Sequence, residues 1–216
     1  MSSAAPVAAS DECVLMFRKQ LQQMADADYL RCLVAYHAAP VVQGIKPAAL
    51  VCPGRESDRL TRALHQCGKA VGAALGVEIA QLHNRNGALL LLAYNPALVR
   101  NILAMGETAT LLNESGFVSP MACIEDLLEQ LRERCRGCSF PHEIGVLLGY
   151  PVSDVRGFMN GDRRNDGTPC CWRSYGDYEE ARQRSARIRA AKLLAAGLLA
   201  GGADIGEVVT ALRTSA

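Results

Sequence analysis

Four histidines occur in the chain: His37, His65, His83 and His142. His37 and His142 stand at junctions of elements beside a turn, where an imidazole could exchange a proton near neutral pH or bind a metal. His65 and His83 have neighbours typical of a surface and carry no such signal. Other polar side chains share those junctions. Tyr36 and Lys46 lie near His37, Glu143 and Tyr150 near His142, and Trp172 and Tyr175 at a third junction. A turn is where a fold can aim such groups into a cleft without burying them unpaired. Glu143, beside a helix start, should stay ionised and could act as a base or an oxygen ligand. Lys46, after a glycine-bearing loop, could hold a carboxylate or phosphate. The expectation is that His37, Lys46, His142, Glu143, Tyr150, Trp172 and Tyr175 converge on one pocket for a small anionic ligand or a metal. The plainer account of each histidine is a satisfied polar group bridging backbone.

A second constellation is Cys135-Arg136-Gly137-Cys138, with His142 four residues on. The spacing puts two thiolates within reach of one metal ion, so Cys135, Cys138 and His142 form a candidate metal set. Cys170 and Cys171 could close it, but adjacent residues rarely both reach one tetrahedral ion. Two ordinary helix-end cysteines are the simpler reading. Other chemistries lack their residues. Gly68, Gly72 and Gly76 fall in or at the end of a helix, with no Lys-Ser/Thr behind a strand, so they make no phosphate loop. There is no Gly-x-Ser-x-Gly nucleophile turn. Val146 stands where a His-Glu-x-x-His pattern needs its second histidine. No reaction and no cofactor is specified by the sequence.

The elements that must position these groups centre on residues 140–158. Pro141 suits the first turn of a helix. Ile144, Leu147 and Leu148 fall on one helical face. Gly149 ends that helix, since a left-handed residue is cheap only for glycine. Ser153 is a good N-cap with Asp154 in the first turn. Val155, Phe158 and Met159 are expected as the buried face of the second helix, and Gly161 as its end. The spacing predicts a helix-turn-helix unit over 141–160. A DNA-reading second helix should offer Arg, Asn, Gln or Lys to base edges. Here it would present Asp154, Arg156, Gly157 and Asn160, and Asp154 repels phosphate. Nucleic acid is therefore not the expected partner, and the unit is also a common packing motif.

The 216 residues carry 23 basic and 22 acidic side chains, so no global field draws the chain to nucleic acid or anionic lipid. Residues 1–10 lack the charged start and apolar run of a signal peptide. The apolar runs 88–94 and 193–203 fall far short of the ~20 residues needed to cross a bilayer. A soluble cytoplasmic protein without membrane contact is expected.

Residues 1–10 read as a disordered tail, 11–200 as one α+β domain, and 201–216 as a short C-terminal helix and tail. Helical periodicity covers 11–35, with a break near 26–28 and a close at Tyr36-His37. The run 47–52 reads as a buried strand, 56–75 as a helix ended by Gly76, and 77–82 as a strand. Asn86-Gly87 marks a hairpin, and 88–94 reads as a central strand apolar on both faces. Helices follow over 96–105, 107–114 and 121–136, the last started by Ser119 and Pro120. Residues 171–175 read as a short edge strand, 177–200 as a long helix with its cations spread around a solvated surface, and 204–213 as a terminal helix. The fold class is α+β: a small, mostly antiparallel sheet packed by helices, with a ferredoxin-like βαββαβ core as one assembly.

Phe140-Pro141-His142-Glu143-Ile144-Gly145, Leu148-Gly149-Tyr150-Pro151 and Asp154-Val155-x-Gly157-Phe158 resemble the signature of a family of small bacterial proteins known as a domain of unknown function. Tyr36-His37-Ala38-Ala39-Pro40 with Gly44-Ile45-Lys46-Pro47, and Trp172-Arg173-Ser174-Tyr175-Gly176-Asp177, are similar to two further parts of it. The resemblance covers roughly residues 30–188 and supplies positions without an activity. It also suggests a link to iron or redox metabolism.

The leading functional reading is a small domain that binds a small anionic ligand or metal at the seam between the sheet and the 141–160 unit. The alternative is a helix-turn-helix regulator or protein-interaction module. Nine cysteines, an odd count scattered over helices and strands, do not look like a disulfide framework and suit a reducing compartment. Thiol titration under denaturing, non-reducing conditions should therefore approach nine per chain. A pair that titrates only after reductant would contradict this.

Overall fold

In the computed structural model, residues 5–52, 56–83, 86–118, 123–137, 140–162 and 171–215 are described, with side chains from residue 12 onward. The chain runs α1 (Ala5–Gln23), α2 (Asp26–Val42), β1 (Ala48–Val51), α3 (Ser57–Leu75), β2 (Glu78–His83), β3 (Leu89–Tyr94), α4 (Pro96–Leu103), α5 (Gly106–Glu114), α6 (Ile124–Arg136), α7 (Ile144–Leu147), α8 (Val152–Asn160), α9 (Tyr178–Ala200) and α10 (Ile205–Thr214). It is an α+β fold, mostly helical, around one three-stranded antiparallel sheet.

The strand order is β1-β3-β2, with Ala48 opposite Tyr94 on one side of β3 and His83 opposite Leu89 on the other. Every residue of β3 is buried. Successive side chains point to opposite faces. Leu89, Leu91 and Ala93 thus join a core with α1, α2, α3, α9 and α10. Leu90, Leu92 and Tyr94 join a second core with α4 to α8. The sheet is the middle layer of three, which accounts for a central strand apolar at all six positions.

Strands β1 and β2 run parallel on either side of β3 and are connected through α3. The fourth strand of a βαββαβ core is not found among the described residues. Residues 171–175, expected as that edge strand, form bends and extended turns instead. Their donors go elsewhere: the Cys171 amide donates to Ser185 Oγ at 2.9 Å, and the Tyr175 amide to Asp154 Oδ1 at 2.7 Å.

Several boundaries move for identifiable reasons. The break between α1 and α2 falls at residues 24–25, and α1 reaches back to Ala5, into the stretch read as a tail. Helix α2 does not close at Tyr36-His37 but runs through Pro40 to Val42. Ala38, Ala39 and Val41 are buried in the first core, and that burial offsets the hydrogen bond a proline removes. Helix α3 ends at Gly76 as expected, in the left-handed region at φ 68°, with the Val77 amide donating to Gly72 O at 3.0 Å. Helix α6 begins at Ile124, where the Cys123 thiol accepts from the Asp126 amide; the expected start at Ser119 and Pro120 lies outside the described residues.

Over 141–160 the chain makes a single helical turn, α7, a left-handed Gly149 at φ 78°, and the nine-residue α8. Ser153 is inside α8 rather than its cap, because the chain enters the helix directly after Pro151. The buried face of α8 also differs from expectation. Asp154, Val155 and Gly157 face inward, whereas Phe158 and Met159 are exposed. The helix is turned toward Asp154 by the bonds that side chain accepts.

Leu91 has no exposed surface in the first core, while Leu15 on α1 is largely exposed. Leu91→Ala should lower the unfolding free energy by about 2–5 kcal/mol, and Leu15→Ala by less than about 0.5 kcal/mol. Urea denaturation monitored by circular dichroism checks both; similar losses would contradict this account of the core.

Candidate functional site

Asp154 is 2% exposed and acts as an acceptor for one loop. Its Oδ1 accepts from the Tyr175 and Gly176 amides, both at 2.7 Å, and from Ser174 Oγ at 3.5 Å; its Oδ2 accepts from Trp172 Nε1 at 2.7 Å. A buried carboxylate is costly unless its lone pairs are filled, and here both oxygens are engaged. The bonds tie residues 172–176 onto α8. Backbones must then pass closely. A methyl group on Gly157 would lie 2.6 Å from Cγ of Tyr175, and one on Gly176 2.8 Å from Ser153 Oγ.

The tie sets the Trp172 ring in a near-parallel stack on Tyr150, centroids 4.8 Å apart and planes at 23°. Tyr150 follows Gly149, whose left-handed backbone brings the 149–150 turn against Lys46 and Pro47; a methyl there would lie 3.1 Å from Lys46 Cβ. Arg184 of α9 holds the same turn by donating to Gly149 O at 2.6 Å. The Lys46 Nζ lies 5.7 Å from the centre of the Tyr150 ring. Three segments distant in sequence thus meet: residues 44–47, the 149–150 turn and residues 171–173.

A cluster of cations lies behind this seam. Lys192 Nζ sits 5.5 Å from the Tyr36 ring centre, and Tyr36 packs edge-on to His37 at 5.1 Å. Arg18, Lys46 and Lys192 all act electrostatically on His37, and the Cys171 thiol lies within electrostatic range of both ammonium groups. Neither lysine pairs with a carboxylate among the described residues. Burial, followed by the charge of Lys192, lowers the Lys46 pKa to about 8. Burial also lowers that of Lys192. For His37, burial and then the charges of Lys192, Arg18 and Lys46 lower the pKa to about 3. Its ring is neutral throughout the physiological range, so the proton exchange expected of His37 near neutral pH is not open to it.

The seven candidate side chains divide among these surroundings. His37 and Lys46 belong to the cation cluster. His142, Tyr150 and Trp172 line one cavity of about 300 Å³, together with Phe140, Phe158, Cys171 and Arg173. Tyr150 joins the two groups. Glu143 turns to Arg134, with which it forms an ion pair at 3.0 Å while buried itself. Tyr175 packs closely against Gly157. Helix α7 is too short to offer a helix N-terminus, because the amides of Ile144, Gly145 and Val146 bond back to Pro141, His142 and Glu143. Cys135 is buried in the second core, and burial, then Glu143, raises its pKa to about 11. Cys138 lies outside the described residues. Among the described residues no three His, Cys, Asp or Glu side chains are grouped to hold a metal ion.

Sequence reasoning missed Asp154 as an anchor and Lys192 as part of the site. Lys192 had a legible signal: it continues the stripe Ile188, Ala195 and Leu199 at helical spacing, which is the buried face of α9. No helix among the described residues is long and apolar enough to cross a membrane.

The chain belongs to the family described as "Protein of unknown function (DUF3793)", whose family model matches residues 34–209. That span takes in the 36–47, 140–158 and 172–176 segments that meet at the seam. No curated protein and no solved structure matches the chain.

Replacing Asp154 with asparagine leaves the volume but turns one acceptor oxygen into a donor facing other donors. Hydrogen bonds to a charged group contribute about 1.5–3 kcal/mol each, so Asp154→Asn should lower stability by at least about 2 kcal/mol. Emission from Trp172, the chain's single tryptophan, should shift to longer wavelength. An unchanged spectrum and midpoint would show that the loop holds without the carboxylate.

Proposed function

We propose that the chain binds a small anionic ligand at the Lys46–Lys192 seam. The observation that carries this reading is a pair of part-buried ammonium groups with no carboxylate partner among the described residues. Taking a charge out of water costs free energy that a counter-ion normally offsets. The faces of Tyr150 and Tyr36 repay part of it through cation–π attraction. An anion between the two lysines would repay more, and the neutral His37 ring beside them could donate a hydrogen bond to it. Tetrahedral oxyanions and carboxylates both suit two ammonium groups, which bind as point charges. A metal-binding reading has less support, because the charges gathered here are positive.

The same chemistry sets a pH dependence. The folded Lys46 pKa is depressed, so its charge, and the anion affinity it confers, is present below about pH 8 and lost as pH rises through that value. Without ligand, the unfolded chain keeps this proton up to the ordinary lysine range. Charged Lys46 therefore opposes folding at neutral pH, and the penalty fades above about pH 8.

Sulfate, whose charge is constant over this range, is the probe. At fixed ionic strength against chloride, sulfate should raise the melting temperature of the wild type, and less so above pH 8. The specific increment should vanish in Lys46→Met and Lys192→Met, leaving only the general salting-out effect. Ligand-free Lys46→Met at pH 7 should melt higher than the wild type. Equal sulfate responses in all three proteins would refute the reading.

A further inference from the structure

The cavity lined by Phe140, His142, Phe158 and Trp172 has features that the lysine seam does not use. Neither Lys46 nor Lys192 lines it. Its volume of about 300 Å³ sits at the lower end of small-molecule sites. Five of its twelve lining residues carry rings: Phe140, His142, Tyr150, Phe158 and Trp172. His142 meets Phe158 edge-on, centroids 4.8 Å apart, and Phe140 lies 6.4 Å beyond His142. Trp172 also lines the cavity, held by Asp154 and stacked on Tyr150. Such rings contribute beyond their area when another ring is offset against them.

Two of these rings are left wet. Phe158 is 39% exposed and Phe140 36% exposed, although Ile144, Leu147 and Val155 beside them are buried. The charges around the cavity are one-sided. Arg173 stands over the Phe158 ring at 5.8 Å and pairs with no carboxylate among the described residues. Asp154, the acid in the lining, has both oxygens filled by donors of residues 172–176, so it offers an incoming anion no free acceptor to oppose it.

The geometry points to a binding site for a flat aromatic ring carrying an anionic substituent, the ring against Phe158, Phe140 and Trp172 and the anion on Arg173. Apolar area on the two phenylalanines would be covered, and the guanidinium, unpaired among the described residues, would gain a partner with which its planar fork can bond twice. A saturated ring of similar size would fill the volume without the stacking. A neutral aromatic would stack without engaging Arg173.

The test uses the full chain and 2-naphthoate, with Trp172 emission and titration calorimetry as readouts. The expected result is saturable quenching, with 2-naphthamide and cyclohexanecarboxylate each binding about tenfold more weakly, or about 1.4 kcal/mol. Phe158→Ala should weaken 2-naphthoate by about tenfold or more. Arg173→Gln should bring its affinity down to that of the amide. Both side chains are exposed, so the fold should survive; Phe158→Leu, which keeps apolar volume without the ring, is the second variant if Phe158→Ala does not. Lys46→Met should leave 2-naphthoate affinity unchanged. The inference is overturned if naphthoate and cyclohexanecarboxylate bind alike, or if Phe158→Ala has no effect. It is also overturned if Lys46→Met abolishes binding and Arg173→Gln does not, an outcome that would place the anion at the lysine seam and leave the sulfate result standing.

Discussion

The side chain of Asp154 holds together what the helical half of the molecule would otherwise leave apart. Residues 171–176 have no strand neighbour and no helix of their own to satisfy their amides. One buried carboxylate, accepting from two backbone amides, an indole and a hydroxyl, replaces that neighbour. In a medium less polarisable than water such bonds are strong, and a missing partner is correspondingly costly. Loop and helix are therefore positioned together or not at all. Trp172 gains a fixed ring plane, Tyr150 gains a surface to stack on, and Lys46 lies against the face of Tyr150 as a result.

Glycines permit the same arrangement from the backbone side. At Gly157 and Gly145 any side chain would collide with Tyr175 or with Val155 and Tyr150. At Gly149 the constraint is twofold, a left-handed backbone and a close approach to residues 46–47. These positions lie in the run Gly145, Gly149-Tyr150-Pro151 and Asp154-x-x-Gly157. Much of that run is accounted for by packing: it describes how two short helices are pressed against a loop and a proline. His142 and Phe158 are the members that packing does not use fully, and both line the aromatic cavity.

What could be read from the sequence followed from how local the cause was. The central strand was legible because a six-residue run apolar on both faces has few other homes, and Gly76 because a left-handed helix end selects glycine. Helix α6 was legible from its apolar face, though its first residue was not. The orientation of α8 was not legible. Periodicity alone assigns Phe158 to the core and Asp154 to water, and the reverse holds because Asp154 has partners twenty residues away. The edge strand at 171–175 failed for the same reason: its composition suits a strand, but its amides were claimed by Asp154 and Ser185. Lys192 was legible in principle, since it sits on the apolar stripe of α9, but among five cations on one helix it looked like a solvated face. Of the seven candidate residues, those near turns that meet other turns came together, while Glu143 found Arg134, a partner no spacing rule indicates.

The layering explains why the candidate chemistry collects where it does. Both faces of the central strand are covered, so β3 can offer a ligand no polar group without leaving it buried and unpaired. Lys46, His142, Tyr150 and Trp172 lie instead in loops and turns. The 44–47 loop ends α2 on one side of the sheet, and the 149–150 turn connects helices on the other. They meet at the rim of the sheet next to Tyr94, where the Asn95 amide donates to Pro47 O at 2.9 Å. At that rim α9 reaches in with Arg184, which donates to Gly149 O, and with Lys192, whose charge acts on Lys46. Positive charge accumulates there because α9 brings Arg184 and Lys192 to a seam that already holds Lys46, while Asp154 beside it is occupied as a structural acceptor. A negatively charged ligand would complete the electrostatics of that rim, just as Asp154 completes the hydrogen bonding of the loop beside it.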